Sequence, residues 1–139
     1  MRVLSLLSLM LLLSVFSHCD VKDALDEVFI DISGNVSEDG AAVEGALILL
    51  LDSPDITDGV SLSNGSATGA GGDYTIVGVK EGSYYVVAVD DVNNNFEFDK
   101  DTDRFGFHGV DPSQADLLPA LVTVSSDDVE NIDIIYFIE

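Results

Sequence analysis

From Val28 to Val36 the chain alternates, with Val28, Ile30 and Ile32 on one side and Asp31, Ser33 and Asn35 on the other. Successive side chains of a strand point to opposite faces, so this period of two predicts a strand with one face buried. Glu38, Asp39 and Gly40 mark a turn. Ala46 to Leu51 is an unbroken apolar run, short enough for a strand covered on both faces. Pro54, within the polar stretch from Asp52 to Gly59, ends it. Val60 to Thr68 reads as a weak polar strand, or as a hairpin about Asn64-Gly65, a favoured turn pair. After the breaker Ala70-Gly71-Gly72 come two strands rich in β-branched and aromatic residues, Tyr74 to Val77 and Tyr84 to Val89, with a turn at Glu81-Gly82 between them. Ala120 to Val124 and Ile132 to Ile138 complete a set of about seven short strands. No helical period is sustained, and one short helix is predicted about Ser113 to Leu117. Short strands with closely spaced turns predict an all-β fold, a single antiparallel Ig-like or transthyretin-like β-sandwich over residues 28–139.

The first nineteen residues follow a different rule. Arg2 precedes Val3 to Phe16, in which eleven of fourteen residues are apolar and three are Ser, and no acid occurs before Asp20. A positive start and a short apolar run make a signal peptide, and the run is short for a helix crossing a hydrocarbon core of ~30 Å. Cys19, the one cysteine, ends this segment. Its place resembles the lipidated cysteine of bacterial lipoproteins, with Ser17 fitting that pattern and Phe16 and His18 departing from it. The resemblance implies a lipid on Cys19 that anchors the protein to a membrane at the cell envelope. Cleavage after Ser17, with Val15 and Ser17 as the small residues, is the alternative and gives a secreted or periplasmic chain. Residues 20–27 read as an acidic tether.

Charge narrows the function classes. Five bases stand against 26 acids, a formal charge of −21. Residues 20–139 hold four of the bases and all 26 acids, so the exported part carries −22. With no basic cluster, such a surface repels phosphate backbones, and nucleic acid is excluded as a partner. A hydrophobic content of 47% argues against disorder, and a single cysteine excludes a disulfide framework.

A family resemblance lies along residues 30 to 90. Ile32-Ser-Gly-Asn-Val36 is followed by Asp39-Gly40 and then Val43-Glu-Gly-Ala-Leu-Ile-Leu-Leu50. Next come Ala67-Thr68, Gly72-Asp-Tyr-Thr-Ile-Val-Gly-Val79 and Glu81-Gly-Ser-Tyr-Tyr-Val-Val-Ala-Val89. In order and spacing this resembles the carboxypeptidase regulatory-like, transthyretin-like domain family. Ala42 departs from it, standing where Pro is common. The resemblance implies an accessory, adhesive or structural module without catalytic residues of its own.

One segment carries candidate chemistry. Every odd position from 91 to 103 bears an oxygen side chain: Asp91, Asn93, Asn95, Glu97, Asp99, Asp101 and Asp103. Calcium takes six to eight oxygens from carboxylates, carboxamides, carbonyls and water, and alternating oxygens in a tightly wound loop converge on one ion. Asp91-x-Asn93-x-Asn95 matches the opening of an EF-hand-type loop. Phe96 stands where that motif has its turn glycine, and Thr102 where it has its bidentate Glu, so a looser calcium loop between strands is the expectation. Six acids crowd residues 90–103, and Phe96 and Phe98 are expected to anchor the loop against the body, where like charges repel most. The competing reading is a solvated acidic stretch.

Other chemistry is thinner. His108 has no second His or Cys in the exported part to pair with, and no Gly-x-Ser-x-Gly elbow occurs. The sequence thus predicts a non-catalytic envelope protein with Ca²⁺ as the expected ion. A metal-free module that binds a protein or glycan ligand is the alternative. The absence of Trp weakens a sugar platform.

Overall fold

The computed structural model describes residues 30–138. The leader with Cys19, the tether 20–27 and the first two residues of the predicted opening strand lie outside the described residues.

The described chain is all-β, built from antiparallel sheets. It holds nine strands in sheets of five, two and two, where the pattern predicted about seven in all. β1 (Ile30–Asn35) pairs with β6 (Asp73–Val79). β2 (Ser37–Glu38) and β3 (Ala41–Ala42) form a small hairpin. Its turn residues Asp39 and Gly40 have φ of 50° and 80°, the positive pair that a tight two-residue hairpin needs. The five-stranded sheet contains β4 (Leu47–Leu51), β5 (Ser66–Ala67), β7 (Gly82–Asp90), β8 (Arg104–Phe107) and β9 (Leu121–Val124).

β7 is the spine of this sheet. β4 lies along one edge of it, from Leu51 opposite Tyr85 to Leu47 opposite Val89. Two short strands share the other edge end to end, β9 beside Gly82 to Tyr85 and β8 beside Val87 to Asp90. Residues 108–120 loop out between them. The predicted short helix is there a 3-10 turn at Pro112–Gln114, capped by the Asp111 side chain.

Both faces of β4 and β7 are covered, which explains their unbroken apolar sequences. On one face Ile48, Val86 and Ala88 pack with Ile32 of β1, Tyr74 of β6 and Val122 of β9. On the other, Leu47, Val87 and Val89 pack with Leu62, Phe98, Phe107 and Val110. Loops 52–65 and 91–103 therefore roof the second core.

Three expectations change. The predicted strand Ile132 to Ile138 is irregular, and Asn131 before it has a φ of 62°. The segment first lies parallel to β1 and the residue after it, bridging Val129 to Ile32 and Ile134 to Val36, and then antiparallel to β8, bridging Ile138 to Phe105. Serving two edges in turn prevents a continuous ladder. The hairpin expected about Asn64-Gly65 is a turn only: Gly65 N–H donates to the Leu62 carbonyl, and Ser66–Ala67 pair with β4. β8 was not expected at all. Among the described residues no helix is long and apolar enough to cross a membrane.

Candidate functional site

The acidic loop runs from the end of β7 to the start of β8, and its two ends are clamped. Arg104 donates from Nε and Nη2 to Asp90 Oδ2, at 3.2 and 2.6 Å, and from Nη1 to Glu38 Oε2 at 2.8 Å. Its guanidinium also lies 5.5 Å from the centre of the Phe137 ring. The hydrogen bond to Asp90, and then that to Glu38, raise the Arg104 pKa. Just inside this clamp is Asp103, which is buried. Its Oδ1 accepts the N–H of Val92 at 3.1 Å and its Oδ2 accepts that of Asp99 at 2.9 Å. Asp103 is thus a buried charge held by backbone donors, which is how such a charge is tolerated.

The middle of the loop is pinned to the roof of the second core. Phe98 is 1% exposed and stands edge-to-face with Phe105, ring centres 5.5 Å apart. Its N–H donates to the Val60 carbonyl at 2.8 Å, and its carbonyl accepts from Gly59 N–H at 2.7 Å. Leu62 N–H donates to the Phe96 carbonyl at 2.8 Å, and Lys100 N–H to Asp58 Oδ1 at 3.0 Å. Of the two expected aromatic anchors only Phe98 is one, since Phe96 is 54% exposed.

Four of the seven alternating oxygen side chains come together. Asn93 Nδ2 and Asn95 Nδ2 both donate to Asp99 Oδ2, each at 2.7 Å. The Asp91 carboxylate faces the same turn, accepting Phe96 N–H at 2.9 Å and Asn95 N–H at 3.3 Å. Asn93 Oδ1 accepts Asn95 N–H at 3.0 Å, and Asn95 Oδ1 accepts Glu97 N–H at 2.8 Å. A carboxamide presents oxygen where it presented nitrogen after a half-turn about its last bond. The set can therefore offer two carboxylates and two amide oxygens to a cation. Asp103 is buried and, like Asp91, accepts backbone N–H groups at both oxygens; Glu97 and Asp101 are exposed, with no carboxylate hydrogen bond among the described residues.

Two residues of the loop, Asn94 and Phe96, lie in the left-handed region. Asp91, Asn93, Asn95 and Asp99 occupy places one, three, five and nine of such a loop. Place six, which takes glycine for its sharp turn, is Phe96, whose φ is 61°; Asn94 has 56°. The sequence mismatch at Phe96 thus leaves the turn intact, with a bulky residue in the left-handed region. Place twelve is the exposed Thr102. Among the described residues no three His, Cys, Asp or Glu side chains gather as a metal centre, so the convergent set depends on its two Asn.

Sequence reasoning missed the partners of the loop. Asp58 and the Glu38–Arg104–Asp90 ion pairs join positions up to 66 residues apart, a separation no local pattern reports. Away from the loop, His108 Nδ1 lies 2.8 Å from the Asp133 carbonyl, which assigns the proton of the neutral ring to that nitrogen. Nearby an open polar groove of about 480 Å³ is lined by Asn35, Asp73, Tyr74, Glu130, Asn131 and Asp133.

No family model matches the chain, and no curated protein matches it. Among solved structures the chain is similar to a DUF3823 family protein from Parabacteroides merdae ATCC 43184, at 14% identity and a TM-score of 0.40. The match covers 77% of this chain and 45% of that one, so the chain spans less than half of that neighbour's length.

Proposed function

We propose that residues 91–103 form a calcium-binding loop on a non-catalytic, exported β-sandwich module held at the cell envelope by lipid on Cys19. The observation that carries the calcium reading is the meeting of Asp91, Asn93, Asn95 and Asp99 about one turn. Their oxygen chemistry suits a hard cation such as Ca²⁺ and gives no purchase to softer metals, which seek His or Cys. A cation there would neutralise Asp91 and Asp99, which Arg104 cannot do while it is engaged by Asp90 and Glu38. Because Phe98 roots the same loop in the second core, an ion holding the loop would also hold that core closed. The sandwich reading is supported by the core between the β1–β6 pair and the five-stranded sheet, and by the carboxypeptidase regulatory-like motif order. Export and lipidation rest on the leader and on Cys19.

Thermal melting of the chain from residue 20, in millimolar Ca²⁺ and then in chelator, tests the loop. Binding to the folded state alone raises stability by about 2.7 kcal/mol at a hundredfold excess over Kd. For a weak extracellular-type site, with Kd on the order of 10⁻⁴ M, about 10 mM Ca²⁺ suffices. A melting temperature indifferent to Ca²⁺, or raised equally in the Asp91→Ala/Asn93→Ala variant, overturns the proposal. The mass of the mature N-terminus tests the anchor: a diacylglycerol adduct on Cys19 supports it, and a chain beginning at His18 rejects it.

A further inference from the structure

The C-terminal segment is fastened to β1 by a ladder in which carboxylates supply two of the acceptors. Val129 N–H donates to the Asp31 carbonyl, Ser33 N–H to that of Val129, Ile132 N–H to that of Ser33, Ile134 N–H to that of Asn35 and Ser37 N–H to that of Ile134, all between 2.9 and 3.0 Å. Between these rungs the N–H of Asp31 donates to Asp128 Oδ1 and the N–H of Asn35 to Asp133 Oδ1, each at 2.9 Å. The segment then reaches β8, where Phe105 and Ile138 exchange bonds at 3.1 and 2.7 Å. Ile132, Ile134 and Phe137 enter the first core from it.

Charge works against this attachment. Asn35 Nδ2 donates to Asp73 Oδ1 at 3.1 Å while its N–H meets Asp133, so two carboxylates gather on one residue. Asp73, Asp133 and Glu130 line the open polar groove, and no base lines it. Asp128 reaches the backbone of Asp31, whose own carboxylate accepts Gly78 N–H at 3.2 Å. Among the described residues the ion pairs belong to Arg104, which lies over Phe137 but is engaged by Asp90 and Glu38. His108 touches the segment at the Asp133 carbonyl, through Nδ1. Residues 127–138 themselves carry Asp127, Asp128, Glu130 and Asp133 and no base. Apolar burial and hydrogen bonds thus hold the segment in a place from which like charges push it, and salt screens the push.

We infer that residues 128–138 form a strap whose closure is set by ionic strength. At about 0.01 M the screening length is about 30 Å, and every carboxylate of the groove acts on the strap; at about 1 M it is about 3 Å, and the strap is left to its apolar contacts. Withdrawing salt opens the strap before it opens the five-stranded sheet, whose central runs Leu47–Leu51 and Tyr84–Val89 hold no charged residue. Opening bares the first core at Ile32, Val36 and Tyr74, which share it with Ile132, Ile134 and Phe137. No particular ion is required, since the strap responds to screening alone.

Amide exchange of the full chain at neutral pH, in chelator, at about 0.01 M and about 1 M NaCl tests this. The chelator keeps the outcome separate from the calcium reading of residues 91–103. The Ile132 and Ile134 amides should exchange about tenfold faster in the low salt, and those of Val87 and Val89 should change by less than about twofold. In Asp73→Asn/Glu130→Gln the salt effect at Ile132 and Ile134 should vanish. That variant spares the ladder, because an amide oxygen at 73 still receives Asn35 Nδ2 and the Glu130 carboxylate has no hydrogen bond among the described residues. Asp52→Asn/Asp55→Asn removes as much charge from exposed positions of loop 52–65 and should leave the effect in place. A change of equal size at all four amides, no change at Ile132 and Ile134, or an effect removed equally by both double variants overturns the inference.

Discussion

The hydroxyl of Tyr74 donates to the carbonyl of Ile132 at 2.6 Å and so joins β6 to the C-terminal segment through the first core. Burial, and then the charge of Asp133, raise the Tyr74 pKa above the ordinary tyrosine value of 10.0. The folded state therefore keeps this proton where the unfolded chain has lost it. The stabilisation is complete below about pH 10 and declines as pH rises above that value. In Tyr74→Phe the carbonyl loses its donor, at a cost of about 1–3 kcal/mol near neutrality. Denaturant melts at pH 7 and pH 11 should show that the variant loses less stability between them than the parent does.

Asp103 makes a second prediction. In Asp103→Ala the part-buried hydrogen bonds from the N–H groups of Val92 and Asp99 are lost together. A hydrogen bond to a charged group contributes about 1.5–3 kcal/mol, and less where water can replace the acceptor. Urea unfolding should show the sum, and Asp101→Ala, at an exposed position of the same loop, should change stability by less than about 0.5 kcal/mol.

Phe96 makes a third. A non-glycine residue in the left-handed region carries a cost of roughly 1–2 kcal/mol. The Phe96 side chain is 54% exposed, so its removal forfeits little packing. Phe96→Gly should then leave the fold equally or more stable and tighten Ca²⁺ binding several-fold in a calorimetric titration. Weaker binding in Phe96→Gly would argue that the ring itself shapes the loop.

Gly34 and Gly106 make a fourth. Each lies beneath a carbonyl of the C-terminal segment at a distance that admits no side chain. Gly34→Ala and Gly106→Ala should each destabilise by about 1–3 kcal/mol, as overpacking does. Amide exchange should quicken first at Ile132, Ile134 and Ile138, whose bonds to β1 and β8 would be pushed open.

How much of this was legible in the sequence differs from residue to residue. The alternation of Ile30 and Ile32, and the solid runs that became β4 and β7, report burial directly, since each apolar side chain is there because of the face it meets. β8 escaped notice because its centre is Gly106, bare to admit the Tyr136 carbonyl, so the residue that fits the strand into the fold also erased its pattern. Ile132 to Ile138 is strand-like in composition yet irregular, because it is shared between two edges. In the acidic loop, the spacing of Asp91, Asn93, Asn95 and Asp99 was visible in the chain. The different fates of Asp101, exposed, and Asp103, buried, were not, because burial of a carboxylate depends on backbone donors that only the folded turn supplies.

The two short strands that share an edge of β7 leave a seam at its midpoint. His108 N–H donates to the Val86 carbonyl at 3.0 Å, and the His108 carbonyl in turn accepts Ala120 N–H at 2.8 Å, so the chain leaves the sheet and returns to it at one spot. A detour that begins and ends at one place can be lengthened at only the slowly growing cost of closing a longer loop. For protein engineering this is the splice point of the fold. A foreign peptide or a small domain set between Ser113 and Leu118 would ride on the sheet while both cores stayed as they are.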